Sequence, residues 1–262
     1  MENLDRNALI ALLYQMADDE LIVGHRDSEW LGLAPHLEED VAFSSIAQEE
    51  VGHAANLYKL LEDLGEGKVD QLAFDRPPER FYNAVLLERP NGEGTYLENP
   101  RFDWAYTVVR RLVYDLFDNV RLAVAAESAY KPLADLAARM RREERYHVLH
   151  HITWFKKLAT GTEESRRRLQ EAIAKVWPDL PGLFAMGSVT PGPHFNAGPT
   201  ELLSRWEAEL QPVFAEVKLP WQPVDLNQPI AEDGRSGVHT AELATLLTTM
   251  GEVRHAEPET VW

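Results

Sequence analysis

Two tetrads of the sequence, Glu50-Val51-Gly52-His53 and Glu144-Arg145-Tyr146-His147, each set a carboxylate and an imidazole three residues apart. On a helix that spacing puts both groups on one face, neighbours across a single turn. Carboxylate oxygen and imidazole nitrogen are hard and borderline donors, suited to iron or manganese. One such tetrad is cheap in a helical chain with 9 His and 43 Asp+Glu. A pair of them, at corresponding places in two helical segments, is the pattern of a di-metal carboxylate site in a four-helix bundle. Such a site also needs one acid from each of the two remaining helices.

Antiparallel geometry tells where those acids lie. The first interhelical turn centres near residue 35, so the position facing Glu50 is near 20, and Glu20 stands there. Asp18 and Asp19 are poorer rotational fits. The second turn centres near residue 130, so the position facing Glu144 is near 116; Asp115 is there, with Asp118 one turn on as its rival. The candidate metal ligands are therefore Glu20, Glu50, His53, Asp115, Glu144 and His147. Four carboxylates would neutralise two divalent cations. Without metal, the same acids packed in a core would repel one another and take up protons. The stripes Ile46, Glu50, His53, Leu57 and Met140, Glu144, His147, with His151 a turn further, mix apolar and ligand residues on one face. That pattern points the ligands inward.

The elements that must carry these residues are long helices. Residues 7–31 and 37–64 are rich in Leu, Ala and Glu, and Pro35 suits the turn between them. Leu64-Gly65-Glu66-Gly67 reads as a glycine stop. Arg76-Pro77-Pro78 and Arg89-Pro90-Asn91-Gly92 mark loops, with a short helix over 79–88 between them. A third long helix spans about 103–126. A fourth begins at Pro132 and runs to about 159, and a fifth covers 163–176. Residues 178–200 carry Pro178, Pro181, Pro191, Pro193 and Pro199 and read as a loop excursion. Helices resume near 200–217 and 238–253. The layout predicts an all-α fold, an up-down four-helix bundle: a single domain over 1–262, with the core bundle at about 7–160 and extra C-terminal helices and Pro-rich loops at about 161–262.

Composition narrows the function. The sequence has no cysteine, which excludes disulfides, thiolate metal sites, iron–sulfur clusters and a Cys nucleophile. A net charge of −17 argues against nucleic acid as a partner. No apolar run approaches the roughly 18 residues of a membrane span, and the N-terminus is not a signal peptide, so the expected place is the cytoplasm. His150 reads as surface. The arginines Arg139, Arg141, Arg142, Arg145 and Arg166 to Arg168 read as a solvated face paired with the chain's own acids.

Several longer stretches resemble the C-subunit family of phenylacetyl-CoA epoxidase. They are Gly24-His25-Arg26-Asp27-Ser28-Glu29-Trp30, Ala34-Pro35-His36-Leu37-Glu38-Glu39-Asp40, Pro90-Asn91-Gly92, Arg145-Tyr146-His147, Gly161-Thr162-Glu163-Glu164-Ser165 and Gly237-Val238-His239-Thr240. The likeness runs nearly end to end and includes Trp262. It implies a ferritin-like fold and a role in aerobic phenylacetate catabolism, within a multicomponent oxygenase that epoxidises the ring of phenylacetyl-CoA. There a related A-subunit carries the di-iron centre, a reductase supplies electrons from NADPH, and the C-subunit is the structural partner with an incomplete ligand set. This sequence departs from that pattern by keeping both Glu-x-x-His tetrads and an acid at each partner position.

Two readings follow. The chain is a partner that packs against the catalytic A-subunit in a hetero-oligomer, forming a homodimer in isolation. Alternatively it is a di-iron oxygenase in its own right, with manganese as the other metal. In that case Glu50 and Glu144 bridge, and Glu20 and Asp115 are terminal.

Overall fold

The computed structural model describes residues 3–257, so Trp262 lies outside the described part. Two long helices open the chain, α1 (Asn3–Ser28) and α2 (Leu37–Asp63). Short elements follow: α3 (Val69–Phe74), α4 (Val85–Glu88), and an antiparallel hairpin of β1 (Gly92–Glu93) and β2 (Arg101–Phe102). A second long pair, α5 (Trp104–Ala125) and α6 (Lys131–Thr160), leads into α7 (Glu163–Val176), α8 (Leu180–Phe184), α9 (Pro199–Glu216) and α10 (Ala241–Ala256). The class is all-α, with the ferritin-like layout of two long-helix hairpins and further C-terminal helices.

Local chemistry explains the helix ends. Glu38, Glu39 and Asp40 fill the first turn of α2, where the helix dipole favours negative charge. The carboxylate of Asp103 caps α5 by accepting from the Tyr106 amide at 3.2 Å. Pro132 sits in the first turn of α6, and Thr162 with Ser165 forms the capping box that starts α7. The short helix expected over 79–88 is instead a 3-10 turn, Pro78–Arg80, followed by extended backbone and the single turn α4. The reason lies in α1. Asp18 takes the Tyr82 amide at 2.8 Å and Asp19 the Ala84 amide at 2.9 Å, so these N–H groups bond outside any helix. The excursion over 178–200 also contains a helix, α8, because Pro181 falls in a first turn, where its missing N–H costs nothing.

The described residues form two compact units. One comprises Asn91–Ile230 with the start of α1 up to Ala8. Its centre is α5, buried on nearly every side and packed against α6, α7 and α9. Trp206 of α9 anchors that packing: it is fully buried among Phe184, Trp177 and Trp221, and its indole N–H donates to the Val113 carbonyl at 2.9 Å.

The other unit comprises Leu9–Pro90 with the segment from Ala231 onward. That segment docks through Glu88, whose carboxylate is fully buried. It accepts from the amide and hydroxyl of Thr240, both at 2.7 Å, and from Asn83 at 2.9 Å, and pairs with His239 Nδ1 at 2.7 Å. Gly237 makes the turn into this contact at φ +77°, where a Cβ would also lie 2.4 Å from the Glu79 carbonyl oxygen.

Burial alone would lower the His239 pKa, but the hydrogen bond and charge of Glu88 outweigh it and hold the imidazole above its ordinary value. A folded-state pKa above the unfolded one gives stability that is fully present below about pH 6.5 and fades as pH rises through the folded value. Replacing His239 with Gln should therefore cost more stability at about pH 5.5 than at about pH 9. Denaturant titrations of both chains at the two pH values check this, and an equal cost at both would contradict it.

Candidate metal centre

Three successive acids on α1 are sorted by the 100° step of the helix. Asp18 accepts from the Tyr58 hydroxyl at 2.6 Å and pairs with Arg76. Asp19 pairs with Arg235 at 2.8 Å. With both neighbours held, the third acid, Glu20, is turned toward α2. There it is fully buried beside Glu50 and His53, and their potential ligand atoms lie within 4.8 Å of one another. His53 Nδ1 is 3.5 Å from Oε2 of Glu20 and 3.5 Å from Oε2 of Glu50. Burial disfavours the imidazolium, yet the hydrogen bonds and charges of the two carboxylates raise the His53 pKa to about 12. The proton on His53 thus balances part of the charge that a cation would otherwise meet.

Gly24 makes this approach of α1 and α2 possible. A Cβ there would sit 2.9 Å from Glu50 Cβ and 3.3 Å from the Ala47 carbonyl oxygen. Gly24→Val is expected to cost about 1–3 kcal/mol through overpacking, and to push Glu50 away from Glu20. Thermal unfolding of the variant checks it, and unchanged stability would contradict this role for Gly24.

The other unit holds the second tetrad. Glu144 and His147 of α6 are both buried, with His147 Nδ1 3.0 Å from Glu144 Oε1. In both tetrads it is therefore Nδ1 that turns toward a carboxylate. On α5, Asp115 is engaged through both oxygens: Arg111 Nη2 is 2.9 Å from Oδ1, and His151 Nδ1 is 2.6 Å from Oδ2. The same His151 nitrogen is 3.0 Å from the His147 carbonyl oxygen. Burial keeps the His151 pKa below its ordinary value, with Arg111 and His147 reinforcing and Asp115 opposing, so the ring is neutral and Nδ1–H is the donor. Asp118 is likewise held by an arginine: Arg121 Nε donates to its Oδ1 at 2.8 Å.

The model of the family described as "Phenylacetic acid catabolic protein" matches residues 1–262. The chain belongs to this family. It is 31% identical over 260 residues to the C-subunit of 1,2-phenylacetyl-CoA epoxidase from Escherichia coli (strain K12), covering 98% of this chain and 100% of the relative. The A-subunit of the same epoxidase from that organism is 26% identical over 187 residues, which cover 71% of this chain and 56% of the relative.

All six sequence-derived candidates fall among the described residues. Glu20, Glu50 and His53 come together in one unit; Asp115, Glu144 and His147 lie in the other, the last two in contact. His151 is fully buried against Asp115, more central than its place at the end of a stripe suggests. His150 is half-buried rather than on the open surface, its ring edge-on to His151 with centroids 5.0 Å apart. Spacing of acids and histidines alone misses Arg111 and Arg121. Their signal was an Arg one turn from an Asp on the same helix, Arg111 with Asp115 and Asp118 with Arg121. Of the surface arginines, Arg167 bonds Glu164 and Glu171, Arg168 bonds Glu164, and Arg166 donates to the carbonyls of Ala159, Val217 and Lys218. Among the described residues no helix is long and apolar enough to cross a membrane.

Proposed function

We propose that this chain is the C-subunit component of a cytoplasmic multicomponent oxygenase that epoxidises the ring of phenylacetyl-CoA. In this reading it packs against a catalytic A-subunit, and a reductase delivers electrons from NADPH. One observation carries the reading: the likeness to the C-subunit spans both chains from end to end, while the likeness to the A-subunit covers little more than half of that relative. The long helices α1, α2, α5 and α6 form the bundle of a single ferritin-like domain, and the chain's main work is structural.

The bundle also holds metal. Glu20, Glu50 and His53 offer two carboxylates and an imidazole, a donor set that fits iron or manganese, and Glu144 and His147 offer a carboxylate and an imidazole of the same kind. Iron bound there would supply oxygen activation; the protein supplies the ligands and a water-poor surround. Retention of these buried donors favours a second reading, an oxygenase competent in its own right.

Reconstitution separates the two. Purified chain, an A-subunit and reductase are combined in all pairings with NADPH and phenylacetyl-CoA, and ring epoxide is measured. The partner reading expects product only when both oxygenase chains are present. Product from this chain with reductase alone, abolished in Glu50→Ala, would replace it with the second reading.

A further inference from the structure

We infer that Arg111 stands in for the charge of a second metal ion, so that the chain takes up one transition-metal ion and not two. The inference rests on the metal reading above and concerns its stoichiometry. A two-metal site needs an acid from α5, and the two candidates, Asp115 and Asp118, are each matched to a guanidinium one turn away on their own helix. Both oxygens of Asp115 already face other groups: Oδ1 lies 2.9 Å from Arg111 Nη2 and Oδ2 lies 2.6 Å from His151 Nδ1, with every side chain in the trio fully buried. His53 and His147 are themselves metal donors, so a cation can recruit them. A guanidinium is no donor to metal, keeps its charge at any working pH, and can leave only by moving through a packed core. A cation brought to Asp115 would therefore meet a fixed like charge in a region that screens poorly. On the other unit, Glu20, Glu50 and His53 present three donor groups at close range.

The test loads the full-length chain anaerobically with excess Mn(II), removes unbound metal, and counts metal per chain by mass spectrometry beside electron paramagnetic resonance. The expected result is one ion per chain with the spectrum of an isolated Mn(II). Arg111→Met should raise the count to two and give an exchange-coupled spectrum. Asp115→Asn, which keeps the side chain's shape, should leave the count at one, because Asp115 is not a ligand. Two coupled ions in the unaltered chain would overturn the inference alone. Loss of the bound ion in a folded Asp115→Asn chain, or a count still at one in a folded Arg111→Met chain, would do the same. No metal in the unaltered chain would overturn the metal reading and this inference with it.

Discussion

Asp18→Ala is expected to destabilise the protein by about 3–5 kcal/mol, the usual cost of removing one partner from a buried ion pair. Asp18 is fully buried, and its carboxylate receives Arg76, the Tyr58 hydroxyl and the Tyr82 amide. Arg76 is itself buried, stacked 4.0 Å from the Phe81 ring centroid, and Asp18 is the counter-charge it pairs with. Removing the acid leaves that guanidinium without its counter-charge and the Tyr82 amide without its acceptor. Packing elsewhere cannot compensate, because the lost group is polar and its partners stay in place. The effect should reach the candidate site as well. Asp18 and Asp19 set the rotation of α1 about its axis, and Glu20 is the next residue. Asp18→Asn should recover part of the loss, since its amide oxygen still accepts one bond. Urea titrations of the three chains, with metal content measured beside them, test this. A loss below about 1 kcal/mol for Asp18→Ala would contradict it.

Glu88→Ala is expected to be as costly, again about 3–5 kcal/mol, and its effect should be local. This residue ties the segment from Ala231 onward to the helices before it: Thr240, the residue just before α10, bonds Glu88 through both amide and hydroxyl. His239 and Asn83 meet its other oxygen, and its backbone carbonyl accepts two bonds from Arg26. Deleting the carboxylate should free α10, whose main contacts among the described residues are with α3, α4 and the 3-10 turn Pro78–Arg80. Hydrogen exchange should rise across Ala241–Ala256 while α5 stays protected. Uniform loss of protection in both regions would show that Glu88 holds more than the C-terminal segment.

Much of this was legible in the sequence, for definable reasons. Long helices announce themselves by period, caps and prolines, and α1, α2, α5 and α6 follow those signals to within a few residues. Antiparallel register points to Glu20, and Glu20 is what stands 3.5 Å from His53. Register works here because two antiparallel helices joined by a short turn leave almost no freedom of offset. The short elements were less legible. A helix over 79–88 agrees with local propensity, but Asp18 and Asp19, more than sixty positions earlier, take its amides. No local rule foresees a tertiary contact of that kind. On α5 the spacing of acids places Asp115 and Asp118 on the candidate face. What changes their chemistry is the arginine beside each, which a search for metal donors passes over because arginine is not one.

If this chain works as the partner of a catalytic A-subunit, the two must associate, and association is the most direct test. Both chains are co-expressed with a tag on one, and the mass of the eluted species is measured by light scattering. An equimolar hetero-oligomer that persists through size exclusion is expected, with ring epoxidation of phenylacetyl-CoA confined to that species. Separate elution of the two chains, each behaving as it does alone, would contradict it.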